Sequence, residues 1–183
     1  AYATDFLIEA QRRGIAVPQD AIDRALGAMR QVSRPDGWSA ASYRLTYPDW
    51  WAGNKAASKA ATERMRSRAS AYALYVLAKA GRGDLARLRW WHDVQMKAEP
   101  SPLARAQVAA GLAMMGDRAR AHDGFEKAAE AVGYKRPALR IGPVVYVDAD
   151  DWYQTPLRDL AGVVALAYEA GEPAVGRGLQ ARL

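Results

Sequence analysis

The stretch AYALYVLAKAG, residues 71–81, repeats the pattern of the opening AYATDFLIEAQRRG, residues 1–14. Residues 106–116 and 161–171 follow the same pattern, a mostly apolar segment that ends at a glycine. Glycine is the preferred residue just beyond a helix end, because it tolerates a left-handed backbone. Four copies of such a segment predict repeated helical units, and we therefore expect an all-α fold.

A second, amphipathic helix is predicted after each of these glycines. In the segment 18–33, Ile22, Leu26 and Met29 share one helix face, at spacings of four and three. The other second helices are predicted at 84–96, at 117–132, and from about 172 to the end. The connections between paired helices are only one to four residues long, so consecutive helices must run antiparallel.

The two helices of a pair differ in polarity. Between Leu103 and Met115 only Arg105 and Gln107 are polar, whereas seven of the fifteen residues from 118 to 132 are polar or charged. A helix that is apolar on nearly all sides is buried on nearly all sides, and an amphipathic helix faces water. First helices are therefore predicted to form an inner layer and second helices an outer layer.

This layering predicts an α/α-toroid-like array of antiparallel helix pairs, with about eight helices in a single domain over residues 1–183. A tetratricopeptide-type solenoid is the alternative, but its pairs recur every 34 residues or so, whereas these glycines fall at the irregular positions 14, 81, 116 and 171. Because residue 1 lies inside a predicted helix, we expect the chain to be a fragment of a larger domain.

Two insertions make the spacing irregular. A long loop is predicted at 33–58, rich in Gly, Pro, Ser and aromatic residues, followed by a helix that starts at about Lys59 and continues into the second copy. Within the second insertion, Val144, Val145 and Val147 favour a strand, and a short β-hairpin is predicted at 138–150.

Aromatic side chains in the insertions are the candidate interaction surface, for a carbohydrate or a protein partner, because aromatic residues are enriched at interface hot spots. The alternative is that they fasten the loops to the helices. The candidate residues are Tyr43, Tyr47, Trp50, Trp51, Tyr146 and Trp152.

Several kinds of chemistry are excluded or disfavoured. The chain has no cysteine, which excludes disulfides and thiolate metal sites. His92 and His122 have no metal-ligand spacing and are interpreted as surface or helix-end residues. No nucleophile triad or phosphate-binding loop is present. We therefore predict no catalytic residue, no metal and no cofactor; the expectation that the chain is not an enzyme comes from the family resemblance described below.

The positive net charge of +6 is not interpreted as a nucleic-acid-binding surface. Basic residues are scattered along the predicted helices and interleaved with acids, with no block of five or six like charges. The sequence has no run of 18 or more apolar residues, so it predicts no membrane-spanning helix.

Several segments resemble a known family. The opening residues match a Tyr-x-Thr-Asp-Phe-Leu helix followed by a Gly-x-x-Val-Pro turn, at Tyr2, Thr4, Asp5, Phe6, Leu7, Gly14, Val17 and Pro18. Three more stretches match the same family, in the order in which the family has them. They are AYALYVLAKAGRGDLARLRWWHD, SPLARAQVAAGLAMMGDRARAHDGFEKA and TPLRDLAGVVALAYEAG. Together these stretches resemble the bacterial alpha-2-macroglobulins and cover most of the chain.

The resemblance implies the C-terminal part of the thioester domain, an α/α-toroid, within a large periplasmic and often membrane-anchored protease trap. In that family a protease cuts a bait segment, and a thioester formed from Cys-x-Glu-Gln then captures the attacker. This chain has no such motif, so no thioester residue is assigned. Either the motif lies upstream in a longer parent, or the parent belongs to the subgroup without a thioester.

The resemblance implies two partners, target proteases through the parent and the rest of the parent polypeptide. An incomplete ring would expose an apolar helix face, so self-association of the fragment is also expected. Two functional alternatives stay open: a helical-repeat module that binds proteins, and a toroidal glycan hydrolase or lyase. A pair of carboxylates on inner helices facing a cavity would favour the enzyme.

Overall fold

The computed structural model describes residues 1–34, 55–132 and 156–181. Eight α-helices lie in these ranges: α1 (Tyr2–Arg12), α2 (Gln19–Val32), α3 (Lys55–Lys79), α4 (Leu85–Asp93), α5 (Pro102–Met114), α6 (Arg118–Ala131), α7 (Pro156–Glu169) and α8 (Pro173–Gln180). A short 3₁₀ helix, Gln95–Lys97, follows α4. The prediction of an all-α array of helix pairs is confirmed.

Two predicted features lie wholly or partly outside the described residues. The predicted hairpin at 138–150 lies outside them entirely, as does most of the predicted loop at 33–58. The loop's predicted end was wrong, because α3 begins at Lys55 rather than at about Lys59. The sequence KAASKAA at this point is made of alanine, lysine and serine, and the first two are strong helix formers.

The four first helices, α1, α3, α5 and α7, end in the same way. In α5 the Gly116 N–H donates to the Ala113 carbonyl at 3.1 Å, and the Asp117 N–H donates to the Leu112 carbonyl at 2.9 Å. This pair of bonds is the Schellman motif, which needs a left-handed residue at its centre. That residue is a glycine with φ between 69° and 86° in all four helices, at Gly14, Gly81, Gly116 and Gly171. The predicted helix stops are therefore confirmed.

Burial separates the first helix from the second most clearly in the pair α5 and α6. Ten of the thirteen residues of α5 are buried, but only four of the fourteen in α6. α5 packs against α3, α4, α6 and α7. We call α1, α3, α5 and α7 the inner helices, and α2, α4, α6 and α8 the outer helices. The predicted shared face of α2 is confirmed, because Ile22, Leu26 and Met29 are all buried.

Side-chain caps begin three of the helices. The carboxylate of Asp84 accepts from the Arg87 N–H, and that of Asp117 accepts from the Arg120 N–H. The Ser101 hydroxyl accepts from the Ala104 N–H ahead of a proline at the first helical position. Each cap satisfies a backbone donor that has no partner inside its helix.

Four arginines bind main-chain oxygens near the C-terminal ends of other helices. Those ends carry unpaired carbonyls and partial negative charge, so a guanidinium satisfies both hydrogen bonding and electrostatics there. The pairs are Arg12 with Lys79 O at 2.6 Å, Arg87 with Ser33 O at 2.8 Å, Arg105 with Lys127 O at 3.0 Å, and Arg118 with Ala170 O at 2.6 Å. These four basic side chains therefore stabilise the contacts between helices.

None of the described helices combines the length and apolar character required to cross a membrane.

Candidate functional site

All six residues of the predicted interaction surface lie outside the described residues. They are Tyr43, Tyr47, Trp50, Trp51, Tyr146 and Trp152. That surface stays a prediction.

The two histidines have different environments. His122 is 54% exposed on α6, as its interpretation as a surface residue predicts. His92 lies in the last turn of α4, a helix end, but its side chain is only 8% exposed. His92 therefore lies at a helix end, as expected, but the sequence analysis did not predict that its side chain is buried.

A polar cluster that the sequence analysis did not single out joins three inner helices. Its centre is Lys79, at the end of α3, whose side chain is 6% exposed. Tyr72 and Tyr75 precede it on the same face of α3, at spacings of three and four. Carboxylates from α1 and α7 complete the set, which we call the Lys79 cluster: Asp5, Glu9, Tyr72, Tyr75, Lys79 and Glu169.

Lys79 is within ion-pair distance of three carboxylates. Its Nζ lies 2.9 Å from Asp5 Oδ1, 3.3 Å from Glu169 Oε1 and 3.8 Å from Glu9 Oε1. It also lies 5.5 Å from the centre of the Tyr75 ring. An ammonium shielded from water is stabilised by such partners. One lysine therefore links α3 to α1 and to α7.

The tyrosine hydroxyls bind the second carboxylate oxygens of Asp5 and Glu169. Tyr72 donates to Asp5 Oδ2 at 3.1 Å, and Tyr75 donates to Glu169 Oε2 at 2.6 Å. Burial raises the pKa of both phenols, and the hydrogen bonds to these carboxylates raise it further. Both tyrosines therefore stay neutral and donate at physiological pH.

The charge state of Lys79 reflects two opposing effects. Burial alone lowers the pKa of its ammonium, because a charged group loses hydration. The hydrogen bond to Asp5 and the charge of Glu169 outweigh that effect and raise the pKa above its ordinary value. The cluster is therefore held by a charged lysine among anionic partners.

This arrangement does not resemble the acid and base of a glycan hydrolase. Such enzymes use two carboxyl groups, one of which must be protonated to donate to the leaving group. In the Lys79 cluster an ammonium lies among the three carboxylates, within ion-pair distance of each. In the described part of the chain, no group of three or more His, Asp or Glu residues is placed to hold a metal ion. The cluster suits mechanical linkage of helices rather than bond cleavage.

A second ionic network lies on the outer helices. Arg120 Nε is 3.0 Å from Asp93 Oδ1, and Arg120 Nη1 is 3.3 Å from Asp117 Oδ2. Arg89 Nε lies 2.6 Å from the same Asp117 oxygen. Hydrogen bonds from Arg120 and then His92 lower the pKa of Asp93 to about 2, and the bond from Arg89 lowers the pKa of Asp117. We call Arg89, Asp93, Asp117 and Arg120 the outer network, and these four residues join α4 to α6.

Comparisons with known proteins are consistent with the fold. No protein-family model matches the chain. Two curated proteins named alpha-2-macroglobulin, from Xylella fastidiosa strains Temecula1 and 9a5c, are 32% and 31% identical to it over 190 residues. Each alignment covers 99% of this chain and 10% of the relative. The chain thus spans about a tenth of the length of these relatives.

Solved structures are similar over the same extent. Salmonella alpha-2-macroglobulin reacted with methylamine has a TM-score of 0.70 at 25% identity, over 98% of this chain and 10% of that chain. Native Escherichia coli alpha-2-macroglobulin, from domain MG7 to the C-terminus, has a TM-score of 0.65 at 25% identity, over 99% and 25%. The trypsin-activated Escherichia coli protein has a TM-score of 0.63 at 26% identity, over 98% and 11%.

The predicted resemblance to the bacterial alpha-2-macroglobulins is thereby confirmed, and it extends along nearly the whole chain.

Proposed function

We propose that this chain is helical scaffold of the thioester domain, an α/α-toroid, in a bacterial alpha-2-macroglobulin-like protease trap. The observation that carries the proposal is the similarity to bacterial alpha-2-macroglobulins along 98–99% of the chain, in sequence and in fold. The pair α5 and α6 supports the toroid, because a double ring has an inner helix buried on nearly all sides and an outer helix that faces water.

In this proposal the chain positions chemistry without performing it. It contains no cysteine, so any thioester would come from another part of the parent. One similar Salmonella structure had reacted with methylamine, and one similar Escherichia coli structure was activated by trypsin. From the trypsin-activated protein we extend to this chain a parent that is attacked by proteases. A periplasmic parent, of a family that is often membrane-anchored, is proposed from the family resemblance alone.

The Lys79 cluster supports a scaffold role over a catalytic one. It connects α1, α3 and α7, which are far apart in sequence, through ion pairs to one shielded ammonium. A rigid inner layer is what a site on a neighbouring segment needs, since reactive groups must be held in place by supporting structure. The chain itself has no enzymatic activity in this proposal.

The test uses the full-length parent and a protease such as trypsin. After incubation, cleavage of a large protein substrate and of a small peptide substrate is measured. A trapped protease loses activity on the large substrate but keeps activity on the small one, because only the large one is kept from the active site. Equal residual activity on both substrates would overturn the proposed trap.

The isolated 183-residue chain is the matched control. It is expected neither to inhibit trypsin nor to hydrolyse a glycan, since it has no thioester and its carboxylates surround a lysine. Glycan cleavage by this chain, abolished by Glu169→Gln, would instead support the toroidal enzyme.

A further inference from the structure

The buried His92 has a carboxylate at each of its ring nitrogens. Nδ1 lies 2.7 Å from Asp93 Oδ1, the next residue in the chain, and Nε2 lies 2.6 Å from Asp123 Oδ2 on α6. Both are hydrogen-bond distances for a charged pair. The imidazole therefore bridges the end of α4 to the middle of α6.

The protonation state of the ring decides whether both contacts are favourable. A neutral imidazole carries one N–H, so one nitrogen would direct its lone pair at a carboxylate oxygen. The imidazolium carries two N–H groups and donates to both carboxylates. The observed distances therefore fit the charged form of His92 and not the neutral one.

Both carboxylates are held as anions by other partners. Arg120 binds Asp93, and Lys127 Nζ lies 2.6 Å from Asp123 Oδ2. Burial acts to raise the pKa of Asp123, but the hydrogen bonds from Lys127 and His92 lower it overall. Neither aspartate is expected to take up the proton in place of the histidine.

Charged groups from the other helices packed on α4 are already engaged. Arg105 on α5 donates to the main-chain oxygens of Glu99 and Lys127. Arg68 on α3 pairs with the Glu99 carboxylate at 3.4 Å. On α4 itself, Arg89 pairs with Asp117, the cap of α6. The groups that hydrogen-bond to the ring of His92 are thus the two aspartates.

We propose that His92 is a proton-controlled clamp between the outer helices α4 and α6. The imidazolium holds the two helices together through Asp93 and Asp123. Loss of its proton removes one donor and places a lone pair against a carboxylate, which weakens the contact. The clamp is closed while the ring carries both protons and the two aspartates are ionised, and it opens when the ring loses a proton. The inference concerns this chain alone and does not depend on the proposed protease trap.

The first test is the ¹⁵N spectrum of the histidine rings in the 183-residue chain. At about pH 6, both nitrogens of His92 are expected to show the shifts of N–H groups, as in an imidazolium. His122→Gln leaves His92 as the only histidine and so assigns its signals. A neutral ring with one unprotonated nitrogen at that pH would overturn the proposal, and this measurement needs no change at His92 itself.

The second test measures amide hydrogen exchange in α4 and α6, corrected for the intrinsic effect of pH. Between about pH 6 and pH 9, opening of these helices is expected to increase about tenfold or more in the unmodified chain, the scale of one hydrogen bond to a charged group. His92→Gln should remove this pH dependence, whereas His122→Gln should keep it. The same pH dependence in all three proteins would contradict the clamp.

Discussion

The inner and outer helices differ in how their ionic groups are buried and in how their helices end. In the inner layer, the Lys79 cluster surrounds an ammonium that is 6% exposed, and every helix ends in a glycine of positive φ. In the outer layer, Arg89, Asp93 and Arg120 are 39–48% exposed, although Asp117 is 8% exposed. The described helices α2, α4, α6 and α8 end without such a glycine. Loss of a charge from the Lys79 cluster should therefore lower the free energy of unfolding by more than loss of a charge from the outer network.

The difference shows where this fold depends on individual residues. A shielded ion pair that loses one partner leaves an uncompensated charge, whereas an exposed pair is replaced by water at little cost. Likewise, a position with positive φ accepts glycine at a lower free energy than any residue with a Cβ. Substitutions in the inner layer should therefore have larger and more specific effects than those in the outer layer.

The largest expected effect comes from Lys79→Met. The change removes the ammonium and leaves Asp5 and Glu169, 21% and 33% exposed, without their main counter-charge. Breaking a buried pair costs about 3–5 kcal/mol, and partial exposure of these carboxylates reduces this to about 2–3 kcal/mol. Urea denaturation gives the free energy of unfolding.

Arg24→Met is the matched control for Lys79→Met. Arg24 pairs with Asp20 on the outer helix α2 at 2.6 Å, with side chains 72% and 66% exposed. Its loss should change the free energy of unfolding by no more than about 0.5 kcal/mol. Equal losses for the two variants would show that the inner cluster is no more important than a surface pair.

Two glycine-to-alanine changes should have opposite signs. Gly116 has φ +86° at the end of α5, so Gly116→Ala is expected to destabilise the chain by about 1–2 kcal/mol. Backbone strain alone would cause this loss, because a Cβ added at this position meets no atom within 4 Å. Gly27 lies inside the exposed face of α2 with equal space, and Gly27→Ala should stabilise by about 0.5–1 kcal/mol. Thermal unfolding measures both; a shift of the same sign would refute the assigned helix stop.

Alkaline pH should weaken the inner layer first. The folded state raises the pKa of Lys79, Tyr72 and Tyr75, so it holds their protons more tightly than the unfolded chain does. Their contribution to stability is complete below the unfolded pKa values, about 10 for both residue types, and is lost as the pH rises beyond them. Melting temperatures between about pH 8 and pH 11 should fall less steeply for Lys79→Met than for the unmodified chain. Parallel curves would contradict this assignment.

Acid should weaken the outer network, with the smallest effect. The pKa of Asp93 is about 2 in the folded state, below its ordinary value near 4, so its contribution is present above about pH 4 and lost as the pH falls toward 2. Because the Asp93 side chain is 46% exposed, Asp93→Asn should destabilise by less than about 1 kcal/mol at neutral pH and by nothing measurable near pH 2. Denaturation at the two pH values checks this, and an undiminished effect in acid would contradict the charge assignment.

The fold was predictable because its signals are local. A glycine that follows an apolar helix marks a left-handed backbone position, and Asp84, Ser101 and Asp117 mark helix starts by the bonds that they can accept. The start of α3 was misplaced because its first residues continue directly from a loop-like composition. Alanine and lysine at that point gave the only local signal for a helix.

The Lys79 cluster was not predictable in the same way. One signal was present, a lone lysine in the apolar stretch 71–81, with acids four residues apart at Asp5 and Glu9. Neither feature says that α1, α3 and α7 meet at one point, since that depends on how the helices pack. The same holds for His92, whose partner Asp123 is thirty-one residues away. The aromatic residues of the insertions remain predicted from composition alone.

The arginine contacts to main-chain oxygens restrict the residue type at the donating positions but not at the accepting ones. A backbone carbonyl is the same whatever side chain its residue carries, so residues such as Ser33 and Ala170 can be replaced without loss of the bond that they accept. The donors have no such freedom, because lysine lacks the planar fork of guanidinium N–H groups. Relatives of this chain should therefore change freely at the accepting positions and keep arginine at positions 87 and 118. In this way a fold can retain its helix contacts while most of its sequence drifts.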